Sequence, residues 1–219
     1  MGGLMMLKKI KIGILVWVVI ICALGNVFAQ SEDKRMDGLI NALNRIDSRK
    51  YDKIIEKMTK KIEKNPNNAK AYYQRGGAYA DKGDFESAIP DYTRAIEIKP
   101  NYAVAYCNRG IAYGVRNNDL AISDYSKAIE IDPNYAAAYN CRCMSYNVKG
   151  NYEQAISDCS RSIEIDPDFA DPYFYRGFAY SKVGEHDKVW NDIHKAQGLG
   201  FDVEPQFIEY FKNVSGREK

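Results

Sequence analysis

One phrase recurs four times along this chain, and its spacing constrains the fold more than any other feature. It reads AYYQRGGAY at 71–79, AYCNRGIAY at 105–113, AYNCRCMSY at 138–146 and PYFYRGFAY at 172–180. After the first three copies come an Ile-Glu-Ile tripeptide and a proline, and these prolines (Pro100, Pro133, Pro167) lie 33 and then 34 residues apart. A period of that size indicates a stacked array of helical hairpins, each too small to bury its apolar face alone.

With the closing proline set at repeat position 32, Tyr72, Tyr106, Tyr139 and Tyr173 fall at position 4. Gly76, Gly110, Cys143 and Gly177 fall at position 8, and Tyr79, Tyr113, Tyr146 and Tyr180 at position 11. Three- and four-residue spacing puts these on one helix face. Small residues recur at position 20 (Ala88, Ala121, Ala155, with Val189 last) and at position 27 (Ala95, Ala128, Ser162, Ala196). The tyrosines wedge between helices, and the small residues let backbones approach. Gly83, Gly150 and Gly184 end one helix and turn the chain into the next.

This pattern resembles the tetratricopeptide repeat family, with its aromatic at 4, small residue at 8, Tyr at 11, Ala at 20 and 27 and Pro at 32. The resemblance covers Ala69 to about Ala196. It implies an all-α fold, a right-handed α-solenoid of stacked antiparallel helix pairs. The expected repeats are 69–102, 103–135, 136–169 and 170–202, preceded by a degenerate helix pair or half repeat in 30–68 and followed by a capping helix in 203–219. The second repeat is one residue short in its turn, at 116–119, which predicts a locally strained or reshaped hairpin. Pro90 is expected to kink the second helix of the first repeat.

The first 29 residues differ in kind. Lys8, Lys9 and Lys11 precede an apolar stretch from Ile12 to Leu24, and Val27-Phe28-Ala29 follows. This reads as a secretory signal cleaved after Ala29, and so as an exported protein, periplasmic or extracellular. The stretch is short for a membrane span, which needs about 20 apolar residues. No membrane insertion is expected after cleavage; an uncleaved anchor tethering an envelope scaffold is the alternative.

The chain carries 31 basic and 29 acidic residues; removing the signal's three lysines leaves 28 against 29, a net charge of −1. A nucleic-acid partner would call for a basic excess on one face, and the densest basic run, 57–64, is interleaved with Glu63 and preceded by Glu56. Nucleic acid is not expected. A second regularity sets Arg75, Arg109, Arg142 and Arg176 at position 7 and Asp91, Asp124, Asp158 and Asp192 at position 23. In an antiparallel hairpin these face each other and read as structural, partly exposed ion pairs.

The family resemblance implies a concave surface lined by the first helix of each repeat at positions 2, 5, 9, 12 and 13. Carried onto this chain, it gives a largely apolar groove with Tyr73, Val104, Cys107, Ile111, Asn140, Met144, Val148, Phe174 and Phe178 as candidate ligand contacts. Exposed apolar patches of this kind mark interaction sites; a C-terminal cap folding over these residues is the competing reading. Some family members hold a chaperone's C-terminal carboxylate with a clamp of Lys and Asn. The matching positions here carry Tyr73, Gly77, Asn108, Ala137 and Cys141, and only Asn108 is retained, so no chaperone-tail clamp is expected.

Beyond Cys22 of the signal, the chain has Cys107, Cys141, Cys143 and Cys159. Cys141 and Cys143, two apart on a helix, point to opposite sides. Cys143 at position 8 faces Cys159 at position 24, so this pair either forms a disulfide or fills the core as two small thiols. Cys107 and Cys141 occupy neighbouring repeats and are a second candidate pair. A thiol-redox role for Cys141 and Cys143 is the remaining alternative. The two histidines, His186 and His194, have neither a nucleophile nor metal-ligand spacing beside them. No cofactor, metal site or catalysis is expected. The reading is a non-catalytic adaptor for a protein or peptide.

Overall fold

The protein is described by a computed structural model covering residues 34–215, with side chains described from Ser48 to Val214. The expected signal and its cleavage after Ala29 lie outside these residues. The chain divides into two compact units, Met1–Asp47 and Ser48–Lys219; the repeats lie in the second. Among the described residues every regular element is a helix. None is long and apolar enough to cross a membrane.

Helix α1 runs from Lys34 to Lys64, one helix within the segment 30–68 where a degenerate helix pair or half repeat is expected. Ser48-Arg49-Lys50 holds neither Gly nor Pro, so nothing stops the helix there. It ends before Pro66, and Asn68 then caps α2, its side chain accepting a hydrogen bond from the Ala71 amide at 3.0 Å.

Four hairpins follow: α2 (Ala69–Asp81) with α3 (Phe85–Ile98), α4 (Ala103–Gly114) with α5 (Asn118–Ile131), α6 (Ala136–Lys149) with α7 (Tyr152–Ile165), and α8 (Ala170–Val183) with α9 (His186–Gly198). A last helix, α10, spans Pro205–Ser215. The result is an α-solenoid in which each hairpin packs on the next. Its core is a seam of small residues rather than a central cluster. Ala88, Ala95, Ala121, Ala128, Ala155, Ser162 and Ala196 are all fully buried.

Position 8 meets position 24 within each hairpin, and the pairing is small against large. A Cβ on Gly110 would stand 2.6 Å from Tyr125 Cε1, and one on Gly76 3.0 Å from the Tyr92 ring. No real Cβ could occupy the first site without moving the ring. In the third repeat the two cysteines replace this packing, and Cys143 and Cys159 are joined by a disulfide.

The short second hairpin is reshaped rather than strained. Three hairpins turn through a glycine in the left-handed region, but α4 ends at Val115 in ordinary right-handed geometry. Asn117 then caps α5 by accepting from the Asp119 and Leu120 amides. Helix α3 continues through Pro90. Pro90 is exposed, so water can satisfy the carbonyl that its missing N–H would have served.

Candidate functional site

The four position-7 arginines each hold three helices together. Arg142 donates from Nε and Nη2 to the two oxygens of Asp158, at 2.7 and 2.8 Å, and from Nη1 to the Ser126 hydroxyl of the preceding repeat at 2.9 Å. Arg75, Arg109 and Arg176 repeat this with Asp91 and Thr59, Asp124 and Thr93, and Asp192 and Ser160. The tyrosines at positions 4 and 11 flank the guanidinium. Arg109 lies 5.5 Å from the Tyr106 ring centroid and 5.8 Å from Tyr113. These pairs are more buried than the sequence led us to expect. The aspartates keep under a tenth of their side-chain surface exposed, so each carboxylate depends on its arginine. The hydroxyls at position 25 escaped sequence reading, although Thr and Ser recur there in register.

Position 5 does not line an open groove. In repeats one, two and four its side chain enters the seam between neighbouring units, where an aromatic residue just before the following helix packs on it. Tyr73 packs on Tyr102 with ring centroids 5.1 Å apart, and Phe174 stacks on Phe201 at 4.7 Å. Cys107 lies against Tyr135 in one buried cluster. Cys107 is 1 % exposed, Asn140 5 % and Phe174 5 %, so these three candidates are core residues and are corrected as such. Tyr73 is half-buried, its hydroxyl accepting from Asn108 Nδ2 at 3.1 Å. That bond also engages the one residue retained from the carboxylate clamp. Burial pushes the Tyr73 hydroxyl up from its ordinary range.

The last repeat's groove positions are occupied by the chain itself. Helix α10 lies along them: Phe207 and Phe211 meet Phe174 at 5.3 and 6.3 Å, and Tyr210 stacks on Phe178 at 6.2 Å. The Tyr210 hydroxyl is 3.3 Å from Ser181 Oγ, and Lys182 Nζ stands 5.0 Å from the Tyr210 ring and 5.1 Å from that of Phe178. Positions 5, 9, 12 and 13 of repeat four therefore all contact one amphipathic helix. The competing reading from sequence, a C-terminal cap folding over the groove residues, therefore holds for repeat four.

Upstream, positions 9 and 13 stay partly open, as does Val104 at position 2. Val104, Ile111 and Met144 are half-buried, and Val115 and Val148 are each 39 % exposed. Asn147, at position 12, instead donates to the Tyr175 carbonyl at 3.0 Å and is buried.

Four family profiles match this chain: "TPR repeat" over residues 76–114 and "Tetratricopeptide repeat" over 103–135, 136–169 and 159–190. Together they cover 76–190, more than half of its 219 residues. The chain belongs to the tetratricopeptide repeat family.

Solved tetratricopeptide arrays share the fold. A MamA crystal structure superposes with a TM-score of 0.64 at 26% identity, covering 79% of this chain and 96% of its own. YrrB, described as a TPR protein with an unusual peptide-binding site, gives 0.59 at 21% identity, covering 75% and 83%. The first TPR of Spaghetti (RPAP3), bound to an HSP90 peptide, gives 0.52 at 24%, covering 53% and 93%. No curated protein matches the sequence.

Two cysteines of this tetratricopeptide array remain as thiols, Cys107 buried and Cys141 partly exposed. Interaction with the Cys107 thiol and burial together hold Cys141 well above the ordinary thiol range. Cys143 is joined to Cys159, so it is not a free thiol for the redox role that the sequence offered Cys141 and Cys143. Among the described residues no group of three or more His, Cys, Asp and Glu side chains is placed to hold a metal ion.

Proposed function

We propose that this protein is a non-catalytic adaptor that holds an apolar or amphipathic segment of a partner protein against the first helices of repeats two and three. The observation that carries this reading is α10. Where groove positions 5, 9, 12 and 13 are covered in repeat four, an amphipathic helix with aromatic anchors at 207, 210 and 211 covers them. The equivalent surface at positions 9 and 13 of repeats two and three (Ile111, Val115, Met144 and Val148), with Val104 at position 2, is apolar and partly open. A rigid, preformed surface loses little ordering entropy when a partner docks. Solved arrays of this fold that have a peptide-binding site or hold a peptide are in keeping with it.

The contact residues proposed here are Val104, Ile111, Met144 and Val148, with Val115 added; Phe178 borders the site beside α10. The test is a pull-down from the native host with wild-type protein and with Ile111→Glu and Met144→Glu, each checked for unchanged helix content and Tm. A partner lost only from the two variants supports the reading. Identical partners on all three would move binding to another face. We further propose that the adaptor is exported, with cleavage after Ala29. A mature N-terminus at Gln30 by mass spectrometry supports export, and retention of residues 1–29 favours a tethered scaffold.

A further inference from the structure

Repeats two and three meet at a cluster that the adaptor reading leaves unused. Cys107 of α4 belongs to the buried group of Tyr125, Ala128 and Ala138, with Cys141 of α6, Ile111 and Tyr135 packed against it. The two thiols and the Tyr135 side chain share one packed cluster at the joint between the repeats. Neither cysteine is bonded, whereas Cys143, two residues along, is already in a disulfide. One helix thus carries a committed cysteine, Cys143, and an uncommitted one, Cys141, that packs into the cluster holding the free thiol of the preceding hairpin.

We infer that Cys107 and Cys141 form a modification site for disulfide-class oxidants, closing reversibly into a second disulfide that staples repeat two to repeat three. Cys141, the partly exposed member, once it has given up its proton, attacks one sulfur of a small disulfide such as oxidised glutathione. The Cys107 thiol and burial make that proton loss slow near neutrality, and alkaline pH speeds it. One glutathione thiolate leaves and takes up a proton. The Cys107 sulfur, on losing its own proton, then displaces the second glutathione from Cys141. Two protein thiols and one disulfide become one protein disulfide and two small thiols; two electrons pass to the oxidant. Burial of Cys107 favours the second step, because an adduct on Cys141 keeps its resolving partner beside it. The bond would lie next to Ile111.

The full-length chain, with Cys143–Cys159 intact, is incubated with oxidised glutathione, alkylated and mapped by mass spectrometry. The expected result is loss of two hydrogens, no alkylatable cysteine and a peptide joining Cys107 to Cys141. Cys107→Ser should instead retain one glutathione on Cys141; should that variant fail to fold, the wild-type map alone decides. The inference is overturned if wild-type protein keeps both thiols alkylatable, if it accumulates glutathione on Cys141, or if Cys107 and Cys141 are found linked to Cys143 or Cys159.

Discussion

Tyr210 of the last helix stacks on Phe178 of the fourth repeat with ring centroids 6.2 Å apart, and Lys182 lies against both rings. This contact decides, for repeat four, between the two readings the sequence leaves open, an exposed apolar groove and a groove covered by the C-terminal cap. The tail fills the groove's last station and leaves the middle ones open.

Removing that filler has a defined consequence. Phe211 is fully buried among Phe174, Trp190 and Phe207, and truncating such an aromatic costs about 3–5 kcal/mol. Phe211→Ala should release α10, raise hydrophobic-dye fluorescence and speed hydrogen exchange in α8 and α9, while α2 to α5 keep their protection. Unchanged dye binding would show that α10 does not cover Phe174.

The glycines at positions 8 and 9 should respond oppositely. Gly110→Ala drives a methyl into Tyr125 at 2.6 Å and should cost about 1–3 kcal/mol by overpacking. Gly77→Ala meets only the Tyr92 hydroxyl, at 3.8 Å, and should be neutral or stabilise by up to about 1 kcal/mol through helix propensity. Urea midpoints of both variants check this, and equal effects would contradict the packing described.

Ion pairs of two kinds are separable. Asp158→Ala strands the buried Arg142 guanidinium and should cost about 3–5 kcal/mol. Asp119→Ala removes a partner of Lys149 whose own side chain is 78% exposed, and should change stability by less than about 1 kcal/mol. Thermal denaturation of both at one ionic strength provides the comparison.

Alkaline pH should unfold the array. Burial pushes the hydroxyls of Tyr92, Tyr125, Tyr135 and Tyr175 above their ordinary range. The stability this reflects is fully present below the unfolded-state value and is lost as pH rises past it toward the folded-state values. Above about pH 10 each such tyrosine should remove up to about 1.4 kcal/mol per pH unit. Urea midpoints flat between neutrality and that point, then falling steeply, are expected; a flat profile beyond it would contradict the burial.

Most of the fold is legible in the sequence because its determinants are periodic and local. Tyr72, Gly76 and Tyr79 recur in register, and Gly83, Gly150 and Gly184 mark turns that any chain with those residues would make. The site is less legible. Cys107, Asn140 and Phe174 carry the family's groove number, but their burial depends on residues about 30 positions later, such as Tyr102 and Tyr135 for the first two repeats and Phe201 for the last. Whether α1 breaks near Ser48 depends on the lack of a stop signal, which a repeat template does not register. Nor does amphipathicity say where α10 lands.

The most direct test of the proposed adaptor is site-specific photo-crosslinking in the native host. A photoreactive residue is placed at Ile111 or Met144 on the groove wall, or at Leu120, which is 46% exposed on the second helix of repeat two. The account predicts the same partner adduct from Ile111 and Met144, and none from Leu120. An adduct from Leu120 alone, or equally from all three, would contradict it.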